Sequence, residues 1–316
     1  MFSSLITENV SLADKNWFRT GGAARFFAEP TSVAEFQQVL SFVRNSDLSV
    51  FVLGLGANLL INDTGFDGIV IRSQIKDISI IPSEDEQCEL VKAGAGVTID
   101  DLIAFCLERQ LIGLEELSGI PGTVGGSVYI NVHYYSHMLS DFLVSAQVIE
   151  VATGEICDVD ASWFDFGYDF STLHYKRYLL ISATFKVKKA TALETAYAQG
   201  RSFEIIRHRR QRYPAQGTCG SFFRNFHEDE VTVESNGRKM IFVAYYLDKL
   251  GIKGELSFGG AVVSYQHANM IVNRGNATSR DIVNLARAMQ ELVRDAFGIV
   301  PQPECQFLGF EKNPLL

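Results

Sequence analysis

Apolar residues recur at helical spacing behind clear start signals in several places along the chain. Ser32-Val-Ala-Glu35 reads as a capping box, with Val33, Phe36, Val39, Leu40 and Val43 on one face behind it. Thr98-Ile-Asp-Asp101 starts a second helix carrying Leu102, Ile103, Cys106 and Leu107. Thr278-Ser-Arg-Asp281 starts a third, with Ile282, Leu285, Met289, Leu292 and Ala296 on one stripe and Gly298 as its C-cap. The short apolar runs Val50 to Leu53, Gly68 to Arg72 and Leu90 to Ala93 read as strands. From Ser127 to Val187 the pattern is mainly extended. It holds a hairpin candidate, Leu143 to Val151 with Ile156 to Val159 across a turn at Ala152-Thr-Gly-Glu155, and a loosely alternating run, Tyr178 to Val187. Thr191 to Arg212 is helical in composition and carries five arginines.

This order predicts an α+β chain with a boundary near residue 190. The expected domains are 1–189, with a further split near 75, and a smaller α+β domain over 190–316. A chain of 316 residues accommodates two or three such units, and 47% apolar with 21% charged residues is a globular balance. The net charge of −9 argues against a general nucleic-acid binder, which needs a basic face. It leaves room for one small anion held by a local cluster such as Arg207, Arg209, Arg210 and Arg212. Met1 to Glu8 shows neither a basic leader nor an apolar stretch. The apolar run Met240 to Leu247 is far short of the roughly 20 residues that span a bilayer, so no membrane insertion is expected. Cys88, Cys106, Cys157, Cys219 and Cys305 are odd in number, widely spaced and without a C-x-x-C, the pattern of reduced thiols in a cytoplasmic protein.

Two glycine segments carry the candidate chemistry. Gly54-Leu-Gly56-Ala57-Asn58 follows a strand directly, and its glycines leave amides free to face an anion. Leu59 stands where a Rossmann fingerprint needs its third glycine, so that reading is excluded; a plain tight turn explains the segment equally well. Ser118-Gly119-Ile120-Pro121-Gly122-Thr123-Val124-Gly125-Gly126 packs four glycines and a proline between apolar segments. Its N–H groups need acceptors, and a buried diphosphate would supply them; the alternative is a surface loop.

These segments join Asn16-Trp-Phe-Arg19-Thr-Gly-Gly22, Asp63, Gly65-Phe-Asp-Gly68, Cys219-Gly-Ser-Phe-Phe-Arg-Asn225, Ser264-Tyr-Gln-His-Ala-Asn269 and Pro303-Glu-Cys-Gln-Phe-Leu-Gly309. The whole set resembles the UDP-N-acetylenolpyruvoylglucosamine reductase family in its shorter form. The glycine segments alone indicate only the wider vanillyl-alcohol-oxidase-type FAD-binding fold; the C-terminal motifs point to the reductase and its substrate-binding domain. The resemblance implies FAD held by Arg19, Gly54, Gly56, Ala57, Asn58, Leu59, the residues Ser118, Gly119, Ile120, Pro121, Gly122, Thr123, Gly125 and Gly126, and Asn131 and Tyr135. It implies that hydride passes from NADPH through the flavin to the enolpyruvyl group of a UDP-sugar. That step belongs to peptidoglycan precursor synthesis, and with it to cell shape and division, and the enzyme is expected to act as a monomer. Ser221 matches the proton donor and Glu304 the catalytic glutamate, while Tyr168, Arg212 and Asn225 match positions that hold substrate. Read alone, Ser221 is a turn residue, Glu304 a solvated carboxylate and the arginines a helix face paired with Glu204.

Two departures stand out. Where the family has Tyr-Arg-x-Ser, with an arginine that steadies an enol intermediate, this chain has Tyr168-Asp169-Phe170-Ser171. A carboxylate there opposes the chemistry, and His174, Lys176 or Arg177 is the expected replacement cation. Where the family has Asn-Ala-Gly-Ala-Tyr-Gly-Gly, this chain has Asn131-Val-His-Tyr-Tyr-Ser-His137. If His133, Ser136 and His137 need positive φ, they cost stability, and they bring bulk near the flavin. His133 and His137 have the spacing of metal ligands on a helical turn, but no third ligand is evident, so no metal is expected. Two other readings stay beside the reductase: a catalytically weakened FAD-binding homologue with a non-enzymatic role, and a flavin oxidoreductase acting on a different substrate.

Overall fold

A computed structural model describes residues 5–235 and 237–316; the first four residues of the stretch read for a leader lie outside the described residues. The chain divides into two compact units, each discontinuous in sequence. The first comprises the described residues up to Glu8 with Phe26–Leu55 and Gly68–Arg209; the second comprises Asn9–Arg25, Gly56–Asp67 and Arg210–Leu316.

In the first unit, α1 (Val33–Ser46) starts as the capping pattern predicts: Glu35 N–H donates to the Ser32 hydroxyl at 3.3 Å, and Asp47 ends the helix at φ 49°. Its Phe36, Val39, Leu40 and Val43 are buried in one cluster with Phe26, Ile69 and Ile71. Strand Val50–Val52 runs parallel to Phe66–Ile71 with Val50 opposite Ile69. A larger antiparallel sheet follows the order Ile156–Asp160, Leu143–Glu150, Tyr178–Lys189, Cys88–Gly94, Ile78–Ile81. α2 (Ile99–Glu108) begins where Asp101 N–H donates to the Thr98 hydroxyl at 3.0 Å, and buries Leu102, Ile103 and Cys106 with Phe185. The central strand is apolar on both faces: Leu180, Ala183, Phe185 and Val187 join the α2 cluster, while Leu179 and Ile181 join the α1 cluster. Burial on both sides is why its alternation looked loose.

The stretch from Ser127 to Val187 is less extended than its composition predicts. It includes the second half of α3 (Val124–Tyr129), a small hairpin of His133–Tyr134 with His137–Met138, and single-turn helices at Leu139–Asp141, Ala161–Phe164 and Thr172–Tyr175. Aromatic contacts replace sheet alternation there; the Phe164 and Phe166 rings stack at 5.1 Å. α4 (Ala192–Arg212) leaves the first unit after Arg209.

The second unit holds α5 (Val243–Lys249) and α6 (Ser279–Phe297) with a three-stranded antiparallel sheet, Ser257–Phe258, Ala261–Val263 and Ile271–Asn273. Strand Gln306–Leu308 runs parallel to Leu59–Ile61. The Asp63 carboxylate accepts from the N–H groups of Ser279 at 2.8 Å and Arg280 at 3.1 Å, so it caps α6 from another segment. The buried stripe of α6 runs through Ile282, Ala286, Met289 and Val293. Leu292, expected on it, is 37% exposed, because one residue is about 100° of turn. Among the described residues no helix is long and apolar enough to cross a membrane, and all five cysteines are free.

Candidate active site

The first glycine segment is open to a ligand. Leu53 N–H makes the last sheet bond, to Ile71 O at 2.9 Å, and from Gly54 to Asn58 no backbone N–H meets an acceptor among the described residues. Gly56 has φ 66°, and a Cβ there would lie 2.6 Å from the Asn16 Cα. The Asn16 side-chain N–H groups donate to the carbonyls of Leu12 at 2.7 Å and Thr20 at 2.8 Å. Asn16 Oδ1, Thr20 Oγ1 and Asn58 Oδ1 are buried without a partner. A row of free amides beside buried, unsatisfied oxygens suits a ligand with both phosphate acceptors and hydroxyl or amine donors. Arg19, at φ 57°, is exposed and donates to Gln216 at 3.2 Å.

The second segment is different from expectation. Most of its N–H groups find acceptors inside the protein: Ser118 on Glu115 O, Gly119 on Asp100 Oδ1, Ile120 on Leu117 O, Val124 on Val97 O, Gly125 on Ala95 O and Gly126 on Thr123 Oγ1. Only the Gly122 and Thr123 amides lack an acceptor among the described residues. Its glycines serve close packing instead; a Cβ on Gly125 would sit 3.1 Å from Ala95 O. The segment still meets the first one, since a Cβ on Gly54 would lie 2.8 Å from Thr123 Oγ1. α4 holds it in place: Ser202 and Ser118 share a buried 2.7 Å hydrogen bond, and Arg209 donates to Gly119 O at 2.9 Å. Arg207 is paired with Glu204 at 2.8 Å, so these two arginines serve the helix and the loop it covers.

Asn131 and Tyr135 take the left-handed conformation, at φ 49° and 53°; His133, Ser136 and His137 do not, so the lost glycines impose no backbone strain. The Asn131 amide donates to Gly167 O at 3.3 Å and its oxygen accepts from Ser140 N–H at 3.1 Å, which ties the hairpin to the turn bearing Tyr168 and Asp169. Tyr135 is 68% exposed. His133 and His137 lie on the two strands of a hairpin, not on a helical turn, and turn to different acids. His133 Nδ1 is 3.8 Å from Asp169 Oδ1, and His137 Nε2 is 4.0 Å from Glu116 Oε2. Among the described residues no group of three potential metal ligands occurs.

Asp169 has φ 52° and its Oδ2 is buried without a partner. Burial pushes its carboxyl above the usual carboxylate range, and His133 pulls against that shift. The Tyr168 ring packs 4.9 Å from the His133 ring. The expected replacement cations are placed otherwise. His174 stacks on Tyr129 at 3.8 Å and Phe170 at 5.0 Å, and burial lowers its pKa; Arg177 pairs with Glu150 at 2.8 Å; Lys176 is exposed.

In the second unit Gly220, at φ 81°, makes the turn before Ser221, whose side chain is half-buried. The next residues pair with the C-terminal segment. Phe222 O accepts from Glu304 N–H at 2.9 Å, Phe223 lies opposite Pro303, and Arg224 N–H donates to Gln302 O at 2.9 Å. Asn269 clamps the same strand from the other side, accepting from Phe223 N–H at 3.1 Å and donating to Phe223 O at 2.7 Å. The Arg224 guanidinium holds the Glu230 carboxyl down to about 2 and donates to Asn225 O at 2.9 Å. The Gln266 amide donates to the carbonyls of Gln211 at 3.2 Å and Tyr213 at 3.4 Å, on either side of the exposed Arg212. His267 packs edge-on against Tyr213, and burial, with Arg212 nearby, lowers its pKa to about 4. Motif matching singled out Ser221, Glu304 and Arg212 and assigned nothing to Asn269 and Gln266. Their signal was present in Ser264 to Asn269, a short polar run closing a strand.

The arrangement therefore offers an amide-lined loop for a phosphate-bearing cofactor, a serine and a glutamate on two bonded segments, and an arginine whose flanking backbone is held by Gln266. Comparison with known proteins agrees. A model described as FAD binding domain matches residues 24–160, and one described as UDP-N-acetylenolpyruvoylglucosamine reductase, C-terminal domain, matches 211–308. The UDP-N-acetylenolpyruvoylglucosamine reductase of Gloeobacter violaceus is 34% identical over 302 residues, covering 95% of each chain. That of Lactobacillus delbrueckii subsp. bulgaricus is 34% identical over 312 residues, 97% of this chain and 96% of its own. The crystal structure of the enzyme from Thermus caldophilus superposes with a TM-score of 0.75 at 25% identity, covering 95% of this chain and 98% of that one. With its FAD-binding domain and its C-terminal domain in that order, the chain belongs to the UDP-N-acetylenolpyruvoylglucosamine reductase family.

Proposed function

We propose that this protein is an FAD-dependent oxidoreductase that reduces the enolpyruvyl group of UDP-N-acetylglucosamine enolpyruvate to give UDP-N-acetylmuramate. NADPH is the reductant, and the enzyme acts as a cytoplasmic monomer in peptidoglycan precursor synthesis. Residues 1–189 carry the cofactor role in this reading and 190–316 the substrate role. FAD, when bound, supplies the hydride that reaches the terminal alkene carbon. The protein's tasks are then to hold the anionic substrate and deliver a proton to the carbon beside the carboxylate. The amides of the Gly54 to Asn58 segment would hold the cofactor's diphosphate. Ser221 gives the proton, helped by the turn at Gly220, and Glu304 acts beside it. Arg212 and Asn225 hold the UDP-sugar, with guanidinium matched to phosphate. The observation that supports this reading is the bond from Glu304 N–H to Phe222 O, which brings Glu304 alongside the residue that follows Ser221.

Asp169, in place of an arginine, favours a second reading: a weakened homologue that binds FAD without turnover. Anaerobic mixing separates the two. NADPH should bleach the flavin absorbance, and the enolpyruvyl UDP-sugar should restore it. Bleaching without recovery would point to a different substrate, and no bleaching to the weakened homologue.

A further inference from the structure

The two departures from the family pattern meet in space. His133 stands where the pattern has glycine and Asp169 where it has arginine, and their side chains approach to 3.8 Å. We propose that His133 and Asp169 act as one charge pair, with His133 as the positioning residue that keeps Asp169 from presenting a bare negative charge to an anionic enolpyruvyl substrate. The proposal rests on the reductase reading above.

Three observations support it. Asp169 Oδ2 is buried with no partner, so a lone ionised carboxylate would be costly here; a charged imidazole beside it offsets that cost. Asn131 fixes the geometry, since its side chain bonds both Gly167 beside the Asp169 turn and Ser140 beyond the hairpin. The other cations of the segment are turned elsewhere: Arg177 to Glu150, and His137, on the facing strand, to Glu116. Charged, the imidazole opposes the carboxylate with the sign that the family's arginine carries. An unaccompanied aspartate would carry the opposite sign.

The test uses the FAD-loaded enzyme and measures two half-reactions by stopped flow. His133→Gln should slow reoxidation of the reduced flavin by the enolpyruvyl UDP-sugar by about tenfold or more, while its reduction by NADPH stays within about twofold. Adding Asp169→Asn to that variant should recover most of the loss, because no carboxylate is then left exposed. A purely structural role for His133 would not be rescued this way. An unchanged rate in His133→Gln, or a double variant as slow as the single, overturns the pair. If the wild-type flavin is reduced but the UDP-sugar does not reoxidise it, the reductase reading fails instead. The pair is then judged by the ¹³C titration of the Asp169 carboxyl, which should move upward in His133→Gln; an unmoved midpoint overturns it.

Discussion

Glu304 and Phe222 are joined through their backbones: the Glu304 N–H donates to the Phe222 carbonyl at 2.9 Å. Phe222 follows Ser221 directly, so the segment bearing Glu304 is bonded to the segment bearing Ser221. The rest of the segment is anchored by apolar packing, with Phe222, Phe223 and Phe226 buried in one cluster with Tyr246 and Ile282.

Replacing the donor should therefore affect one step only. Ser221→Ala is expected to lower turnover of the UDP-sugar by roughly 10²- to 10⁴-fold, the usual range for general acid catalysis. Reduction of the flavin by NADPH, followed separately by absorbance, should stay near the wild-type rate. Equal losses in both steps would argue against a proton-donating serine.

Asn269 makes a different prediction. Its side chain is buried and satisfies both backbone groups of Phe223. Asn269→Ala leaves a buried N–H and C=O unpaired, at a cost of about 2–4 kcal/mol. Urea unfolding should show a lower midpoint at an unchanged slope.

Gly56 tests the cofactor loop. At φ 66° and with Asn16 Cα only 2.6 Å from a new Cβ, Gly56→Ala must displace the loop. The variant should purify with less flavin, read as the ratio of absorbance near 450 nm to that at 280 nm. Gly251 is the control: its φ is 67° but nothing lies within 4 Å of its Cβ position. Gly251→Ala should cost about 1 kcal/mol in stability and keep its flavin.

His267 gives a pH dependence. Burial lowers its pKa from 6.5 to about 4 in the folded protein, so the unfolded chain takes up this proton first. Above pH 6.5 both states are neutral and the residue contributes nothing. As pH falls from 6.5 toward 4, unfolding is favoured progressively, by on the order of 3 kcal/mol at the end of the range. His267→Gln should flatten that part of the stability profile, measured by denaturant titration at several pH values.

The sequence by itself settled what depends on near neighbours. Helix starts at Ser32, Thr98 and Thr278 were legible because a cap acts within one turn. Leu59 was enough to exclude a Rossmann loop, and the ordered motifs were enough to name the family. Tertiary structure decided everything that depends on which distant segment lies alongside. It showed that the second glycine segment is satisfied by Ala95, Val97, Asp100, Glu115, Leu117 and Thr123 within its own unit, while the first is the one left open. It bonded Glu304 to Phe222, moved the α6 stripe from Leu292 to Val293, and brought His133 to Asp169. Periodicity and caps are set by contacts a few residues apart. The partner of a backbone amide or a buried carboxylate is set by how sheets and helices pack, and no local pattern records that.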